Sequence, residues 1–500
     1  MDPVLGFDVQ LPATGSGGLV RSIYRQIREH ISAGRLQPGV PLPSSRQLAR
    51  ALHISRNSAI AVYDLLASEG CVVTRAGGGT FVANVFRSQQ RRPPPIRAPT
   101  SRSQPDPRLP APWRDLQPPA PLGPDAQALY DFSLGVPSLE HFPFAVWRRV
   151  YVRALRSLAR ASAAYSDPRG LMQLRTAIAH HVSFTRSVSC DAEDVLVCSG
   201  AQQAFDLIAK VFIEPGVSIA AVEDPGYPPL RRALQSARAR LIPVRVDSDG
   251  IVVKDIPPDA RLIFVTPSHQ FPLGTTMSYA RRQALLEHAY RTRAIVIEDD
   301  YDGEFRHSTR PVDALQTLDR RATVFYVGTF SKSIFPGLRL GYIVSPAWAR
   351  NALAAAKLGT DWHSDTLHQA ALAEFIREGH LTRHIRKSRR LYTERYNSAV
   401  EALTKHFGDQ EVRVLPAAAG LHVTCTVASR RLEQSLAAMA TTLGLRVTPL
   451  AQFYLREPHI HGLALGLGRA SAQNISQGLS TLGRHLVTTS TRRGRATRIR

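Results

Sequence analysis

Residues 324–342, VFYVGTFSKSIFPGLRLGY, are the stretch that decides the fold of this chain. The run begins with apolar and aromatic residues that predict a buried strand, and the strand ends at Gly328 and Thr329. One lysine, Lys332, follows, and a Pro-Gly turn then leads to Arg339. A strand that ends in small residues and then presents an amine is suited to offering that amine to a bound carbonyl compound.

The lysine is unusual for this chain. Of 63 Lys and Arg residues only six are Lys, at positions 210, 254, 332, 357, 387 and 405. Since arginine supplies most of the positive charge, a lysine at the end of an apolar strand indicates a need for an amine that can lose its proton.

Length and charge limit the possible classes of protein. A chain of 500 residues predicts two or three domains, and its 44% hydrophobic content is enough for a sizeable core. The net charge of +23 indicates a polyanionic partner, either nucleic acid or an anionic membrane surface. Because no signal segment or run of about 18 apolar residues is found, we expect a cytoplasmic protein that spans no membrane. The four cysteines lack metal-ligand spacing, so we expect reduced thiols and no metal site.

The region from residue 19 to residue 83 reads as three short helices and a hairpin with a glycine turn. The predicted elements are helices over 19–33, 46–52 and 56–68 and a hairpin over 71–82. The side chains expected to face inward are Ile23, Ile27 and Ile31, then Leu48, Ala49 and Leu52, then Ile60, Tyr63, Leu66 and Ala67. This order is typical of a winged helix-turn-helix, although a small helical dimerisation module would use similar caps.

Four motifs in this region narrow the choice: GRLQPG at 34–39, LPSSRQLA at 42–49, SRNS at 55–58 and GGGTFV at 77–82. Together they resemble the DNA-binding domain of GntR-family bacterial regulators. The resemblance assigns an α+β winged helix-turn-helix to residues 15–84 and implies that double-stranded promoter DNA is the partner. The residues that it implies at the DNA are Ser45, Arg46, Ser55, Arg56, Asn57, Ser58, Gly78 and Gly79.

Residues 85–128 are dense in proline and arginine and lack apolar periodicity. Such a segment cannot bury enough surface to offset the entropy of ordering it, so we predict a flexible linker. The arginine-rich residues 489–500 are predicted to be a disordered basic tail.

Between these segments, residues 129–488 alternate apolar strands with helical periods. Buried strands are predicted at 194–199, 262–266, 294–298 and 324–327. The alternation predicts an α/β domain around a mostly parallel sheet, with ligands bound at the carboxyl ends of the strands.

Polar motifs at those strand ends match the needs of one cofactor, pyridoxal 5′-phosphate. Its aldehyde needs an amine, its pyridinium nitrogen a carboxylate, its ring a stacking partner, and its phosphate a helix N-terminus with a cation. The candidates are Lys332, the carboxylates at 298–300, Tyr227, the segment 199–203 and Arg339. Each is a weak signal by itself, because a strand-terminal Asp often caps and a lone lysine is often a solvated charge.

The same motifs resemble those of fold-type I, aspartate-aminotransferase-like enzymes. The stretches SGAQQA at 199–204, EDPGY at 223–227, TPSHQ at 266–270, EDDYD at 298–302 and the Lys332 segment are most similar to the MocR/GabR subfamily of GntR regulators. In that subfamily a winged helix-turn-helix is joined to an aminotransferase-like domain. The resemblance implies a large α/β part, a smaller C-terminal α+β part and a head-to-tail homodimer.

The resemblance also implies roles for individual residues. Lys332 would bond the cofactor as a Schiff base, Asp299 would pair with the pyridinium nitrogen, and Tyr301 would bond the ring hydroxyl. Tyr227 would lie against the ring, and His269 would lie nearby. The residues implied around the phosphate are Gly200, Ala201, Gln202, Thr329, Ser331 and Arg339.

One departure from the enzyme pattern bears on function. Aminotransferases of this fold commonly hold the substrate carboxylate with an arginine at the position of Ala464, and Arg469 is expected to point elsewhere. Pro229 stands where some amino-acid-sensing relatives carry another arginine. Losing such a clamp should weaken both the binding and the orientation of an amino-acid substrate.

We therefore expect a transcriptional regulator in which the cofactor domain senses a small molecule and alters promoter binding. The effector is left open as an amine, an amino acid or pyridoxal phosphate itself. One alternative is a working aminotransferase with an accessory DNA-binding domain, and another is a DNA-binding protein whose large domain has lost the cofactor.

Overall fold

The computed structural model describes residues 5–12, 18–75, 79–84, 108, 128–160, 164–307, 313–407 and 412–496. The chain divides into two compact units, residues 1–118 and residues 119–500. The predicted linker lies outside the described residues except at positions 108 and 128, and so does Gly78 of the predicted DNA-binding set.

The first unit is the predicted winged helix-turn-helix. Its elements are α1 Leu19–Ser32, β1 Pro41–Leu42, α2 Ser45–Ala51, α3 Arg56–Ser68, β2 Val72–Arg75 and β3 Gly79–Val82. The strands form an antiparallel sheet in the order β1-β3-β2. Ser44 caps α2 in a capping box with Gln47, and the Ser55 hydroxyl accepts the Ser58 N–H at 3.0 Å to start α3. These caps fix where the two helices of the motif begin.

The buried side of α3 differs from the prediction by one position. Ala59, Val62, Tyr63 and Leu66 are buried, whereas Ile60 is 38% exposed and Ala67 is also exposed. The prediction for Ile60 and Ala67 is therefore wrong. Spacing at i, i+3, i+4 and i+7 is satisfied by the set that starts at residue 59, and the small Ala59 lets α3 approach its neighbours closely.

The first unit begins earlier than the predicted boundary at residue 15. Leu5 is buried in the core of this unit, and Phe7 stacks on His30 of α1 with ring centroids 3.6 Å apart. The side chain of Gln26 accepts the N–H of Gln10 at 2.9 Å and donates to its carbonyl at 2.8 Å. Residues 5–12 thus pack along α1 and belong to the folded unit.

The second unit is the predicted α/β domain with a smaller C-terminal part. Its helices are α4 Phe144–Leu158, α5 Met172–Arg186, α6 Ala201–Phe212, α7 Pro228–Ser236, α8 Tyr279–Thr292, α9 Arg350–Asp361, α10 Thr366–Arg377, α11 His380–Phe407, α12 Arg430–Thr442 and α13 Ala472–Ala496. Its strands are β4 Tyr130–Asp131, β5 Val195–Cys198, β6 Ile219–Asp224, β7 Arg240–Asp247, β8 Gly250–Ile251, β9 Ala260–Val265, β10 Ile295–Asp300, β11 Val324–Thr329, β12 Gly341–Val344, β13 Val412–Val414, β14 His422–Val427, β15 Leu445–Arg446, β16 Thr448–Pro449 and β17 His461–Gly466.

An eight-stranded sheet in the order β5-β12-β11-β10-β9-β6-β7-β8 forms the centre of this unit. The strands from β11 to β7 run parallel, while β12 is antiparallel to both β11 and β5. The inner strands read as continuous apolar runs because helices cover both faces. In the register of β10 with β11, Asp300 lies opposite Gly328, so the residues that follow both strands meet at one edge.

The smaller part contains the antiparallel sheet β13-β14-β17-β16. Its last helix, α13, runs from Ala472 to Ala496 and so includes residues 489–496 of the predicted basic tail. Residues 497–500 lie outside the described part.

Within the ranges that the structure describes, none of the helices is both long and apolar enough to cross a bilayer.

Candidate functional site

Lys332 lies just past the end of β11, and its side chain reaches the loop that precedes α4. Its Nζ donates to the Gly135 carbonyl at 2.5 Å. A Cβ at position 135 would come within 2.8 Å of Nζ, and Gly135 has φ +71°, so both space and backbone conformation favour glycine there. Burial lowers the pKa of Lys332, although Asp302 and Asp299 oppose that effect. The fold thereby favours the neutral, nucleophilic amine.

The three acidic residues that end β10 have three different surroundings. Both oxygens of Glu298 accept backbone N–H groups, from Leu315 at 2.7 Å and Gln316 at 2.9 Å. Asp300 accepts Arg186 Nε at 2.6 Å and the Tyr326 hydroxyl at 2.7 Å.

Asp299 is the carboxylate that is still available. Its Oδ1 is buried and has no hydrogen-bond partner among the described residues. Burial and the charge of Asp300 raise the pKa of Asp299 well above its ordinary value, while Lys332 opposes the shift. A buried, unsatisfied carboxylate is costly, and a cationic N–H placed beside it would relieve that cost. The pyridinium nitrogen of pyridoxal phosphate is such a group, so this residue fits the predicted cofactor.

Tyr301 is positioned by a buried imidazole and carboxylate. Its hydroxyl lies 2.9 Å from His269 Nδ1, and both oxygens of Asp302 lie 3.0 Å from the same nitrogen. Although burial would raise it, the pKa of Asp302 is held below its ordinary value by His269. The ring centroid of His422 lies 4.7 Å from that of His269. A ring nitrogen of each histidine and a carboxylate oxygen of Asp302 lie within 4.8 Å of one another. His422 joins the site through long-range contacts that no local motif signals.

The other end of the site is built around the start of α6. Gly200 precedes the helix with φ +85°, and Ala201 and Gln202 form its first turn, where backbone N–H groups have no intrahelical partner. Arg339 Nη2 donates to the Ser199 carbonyl at 2.7 Å, and a Cβ at Gly200 would lie 3.0 Å from that nitrogen. A helix N-terminus beside an exposed arginine suits a phosphate group.

The remaining predicted cofactor residues are placed as follows. Thr329 Oγ1 accepts the Ser331 N–H at 3.1 Å, which shapes the turn before Lys332. The half-buried ring of Tyr227 lies edge-on to Phe271, with centroids 5.4 Å apart. The Gln202 side chain donates to the Pro229 carbonyl at 2.9 Å. The side-chain amide of Gln202 is thus engaged by protein.

A buried lysine that the sequence analysis did not single out supports the start of α6. Lys357 of α9 is fully buried and donates to Gln203 Oε1 at 2.8 Å, to both oxygens of Asp361 at 2.7 Å and to the Ser364 hydroxyl at 3.0 Å. Gln203 in turn accepts the Ser199 N–H at 2.7 Å. This network fixes the loop that leads into the helix N-terminus.

The two positions at which the sequence departs from the enzyme pattern, and Arg469, are placed as follows. Ala464 is fully buried in β17, and Arg469 pairs with Asp131 at 3.2 Å. Pro229 lies in the first turn of α7. Arg231, which is close in sequence to Pro229, does not supply the missing clamp, because its side chain is buried and bonds Asp224 and the Phe453 carbonyl.

In the first unit, the predicted DNA-binding residues lie along the starts of α2 and α3 and in the wing. Arg46, Arg56 and Asn57 are exposed. Ser45 begins α2, while Ser55 and Ser58 bond each other at the start of α3, with 2.8 Å between their hydroxyls. Gly79 begins β3 with φ +95°. The arrangement leaves Arg56 and Asn57 at the helix end that enters a major groove in this class of domain.

Both units match known families. Residues 19–82 match the bacterial regulatory proteins of the gntR family, and residues 129–466 match the aminotransferase class I and II family.

Similar proteins share nearly the whole length of the chain. The probable rhizopine catabolism regulatory protein MocR of Rhizobium meliloti is 35% identical over 469 residues, which cover 92% of each protein. The pyridoxine biosynthesis transcriptional regulator PdxR of Corynebacterium glutamicum is 32% identical over 447 residues, covering 89% of this chain and 90% of that protein.

Solved structures match the second unit. Kynurenine aminotransferase of Pyrococcus horikoshii, in complex with PMP, aligns with a TM-score of 0.66 and 27% identity over 71% of this chain and 89% of its own. LysN, the α-aminoadipate aminotransferase of Thermus thermophilus complexed with N-(5′-phosphopyridoxyl)-L-leucine, aligns with a TM-score of 0.66 and 27% identity over 73% of this chain and 93% of its own.

The Lys357 network predicts a measurable effect on the phosphate end of the site. Lys357→Met should remove the charged donor shared by Gln203, Asp361 and Ser364, which costs about 1–3 kcal/mol of stability and loosens the start of α6. We expect weaker binding of pyridoxal phosphate in an absorbance titration of the cofactor-free protein. Lys210→Met is the control, because Lys210 is exposed on α6 and its side chain bonds only Thr360, at 3.2 Å, among the residues that the structure describes. Equal affinities of the two variants would contradict the supporting role of Lys357.

Proposed function

Because this chain belongs to the MocR/GabR-type regulators of the GntR family, we propose that it is a transcriptional regulator whose second unit holds pyridoxal phosphate as a sensor. The unpaired, buried carboxylate of Asp299, set across the site from Lys332, is the observation that supports the cofactor most strongly. A bound pyridinium N–H would give this buried carboxyl group the partner that it lacks.

The described residues would divide the binding of the cofactor among them. Asp299 would accept the pyridinium N–H, and the Tyr301 hydroxyl, held by His269, would bond the ring oxygen. The first N–H groups of α6 and Arg339 would hold the phosphate. When bound, the cofactor supplies an electrophilic carbonyl carbon, and the amine of Lys332, whose pKa is lowered by burial, is the group that would attach to it.

The absence of an arginine clamp supports sensing over turnover. With Ala464 buried in β17 and Arg469 bonded to Asp131, a bound amino acid would lack the bidentate partner that orients its carboxylate. We therefore propose that the effector is an amine, an amino acid held by other groups, or pyridoxal phosphate itself. The similarity to a regulator named for pyridoxine biosynthesis favours testing the cofactor first.

The sensor would act by changing the affinity of the first unit for promoter DNA. Arg46, Arg56 and Asn57 are exposed at the starts of α2 and α3, where phosphates and base edges are contacted in this class of domain. We propose that the protein acts as a head-to-tail homodimer in the cytoplasm, where its DNA ligand lies.

The covalent role of Lys332 is tested by the visible absorbance of the purified protein. With pyridoxal phosphate added, the wild type should show the band of a protonated imine, and Lys332→Ala should lack it because the variant has lost the amine that bonds the carbonyl carbon. Lys405→Ala removes an exposed lysine of α11 and should keep the band. A band that survives in Lys332→Ala would contradict this assignment.

The independence of the two units is tested by Arg56→Ala. Promoter binding, measured by fluorescence anisotropy, should fall at least tenfold because Arg56 is a phosphate or base-edge contact. The cofactor band should stay unchanged. Arg28→Ala removes the same charge from α1, where Arg28 forms an exposed ion pair with Glu69 at 3.0 Å, and should bind DNA normally. Loss of both DNA binding and cofactor in Arg56→Ala would refute the independence.

A further inference from the structure

Most of the positive charge of this protein lies outside its DNA-binding unit. Residues 1–84 carry eight Arg and no Lys against five Asp and Glu. Residues 129–488 carry 43 Lys and Arg against 32 Asp and Glu, an excess more than three times as large. The charge that indicates a polyanionic partner therefore cannot be explained by the winged helix-turn-helix alone.

Part of this excess is concentrated at the start of α11. Between Glu378 and Glu394 the sequence has five basic residues and no acidic one. Four of the five, Arg383, Arg386, Lys387 and Arg390, are spaced by three or four residues and so share one side of the helix, which we call the basic face of α11.

The basic face of α11 points away from the protein. Leu381, His384, Ile385, Ser388 and Tyr392 on the other side of the helix are buried. All four residues of the basic face are exposed. The core thus fixes the rotation of the helix and holds four cationic side chains toward solvent.

These charges are not neutralised by neighbouring residues. The side chains of Arg386, Lys387 and Arg390 form no ion pair or hydrogen bond within the described part of the chain. The Arg383 side chain bonds two neutral acceptors, the Glu378 carbonyl at 2.8 Å and His380 Nδ1 at 2.7 Å. The carboxylates closest in sequence before the helix, Glu374 and Glu378, pair with Arg153 of α4 at 2.9 and 2.5 Å.

We propose that the basic face of α11 binds phosphates of duplex DNA, in addition to the contacts made by the first unit. The inference rests on the proposed function, which gives the protein a DNA ligand. Lys and Arg side chains on a helix contact phosphates without reading sequence, so this surface would add affinity and lengthen the bound segment.

The number of phosphate contacts can be measured from the salt dependence of binding. The probe is a fluorescein-labelled random-sequence duplex of about 60 base pairs, since phosphate contacts need no operator. We compare the full-length wild type with Arg386→Gln/Lys387→Gln/Arg390→Gln. Each lost contact reduces the slope of log K against log salt concentration by about 0.9, so the triple variant should have a slope smaller in magnitude by up to roughly 3.

A control variant carries the same loss of charge on other surfaces of the unit. Lys254, Arg261 and Arg320 are exposed, and Lys254→Gln/Arg261→Gln/Arg320→Gln should keep the wild-type slope. Thermal unfolding and the cofactor band check that both variants are folded. Equal slopes for the wild type and the α11 variant, or equal changes in the two variants, would overturn the proposal.

The competing polyanion is an anionic membrane. Vesicles containing phosphatidylserine are tested with the same three proteins, and loss of vesicle binding without a change in the DNA slope would overturn the DNA assignment. A wild type that binds no duplex would refute the proposed function itself, whereas wild-type binding with unchanged slopes would refute only the role of α11.

Discussion

The parallel pairing of β10 with β11 is the constraint on which the site depends. Because the two strands run side by side in register, the carboxylates that end β10 and the lysine that follows β11 reach the same edge of the sheet. Both faces of these strands are buried in the apolar cores of the unit. The acid and the amine that the cofactor needs are thus brought together by the packing of the sheet.

Burial then gives neighbouring residues different chemistry. Glu298 satisfies backbone N–H groups and Asp300 is bonded by Arg186 and Tyr326, so these two carboxylates stabilise the fold. Oδ1 of Asp300 is also unpaired, but Asp299 differs in that its side chain forms no hydrogen bond with any described residue, and a bound N–H donor would offset the cost of its burial. The same desolvation lowers the pKa of Lys332. One dry environment therefore prepares both the group that would anchor the ring nitrogen and the amine that would bond the carbonyl.

Much of this could be predicted from sequence, because local motifs carry it. The caps at Ser44 and Ser55, the glycine before α6 and the strand that ends before Lys332 all encode their structure within a few residues. The wrong prediction and the site residues that were not predicted have other causes. The prediction for Ile60 fails because Tyr63 and Leu66 fit two apolar stripes of α3, one that includes Ile60 and one that includes Ala59, and the sequence does not choose between them. Gly135, His422 and Lys357 reach the site from distant parts of the chain, which a single sequence cannot show.

The central claim is that the cofactor held at Lys332 controls the affinity of the first unit for DNA. Its most direct test is the dissociation constant of the full-length protein for promoter DNA, at fixed salt, with and without pyridoxal phosphate. We expect the two constants to differ by about 5- to 150-fold, the usual range of coupling between sites, and Lys332→Ala to show no such difference. A wild type with the same constant in both conditions would contradict the claim.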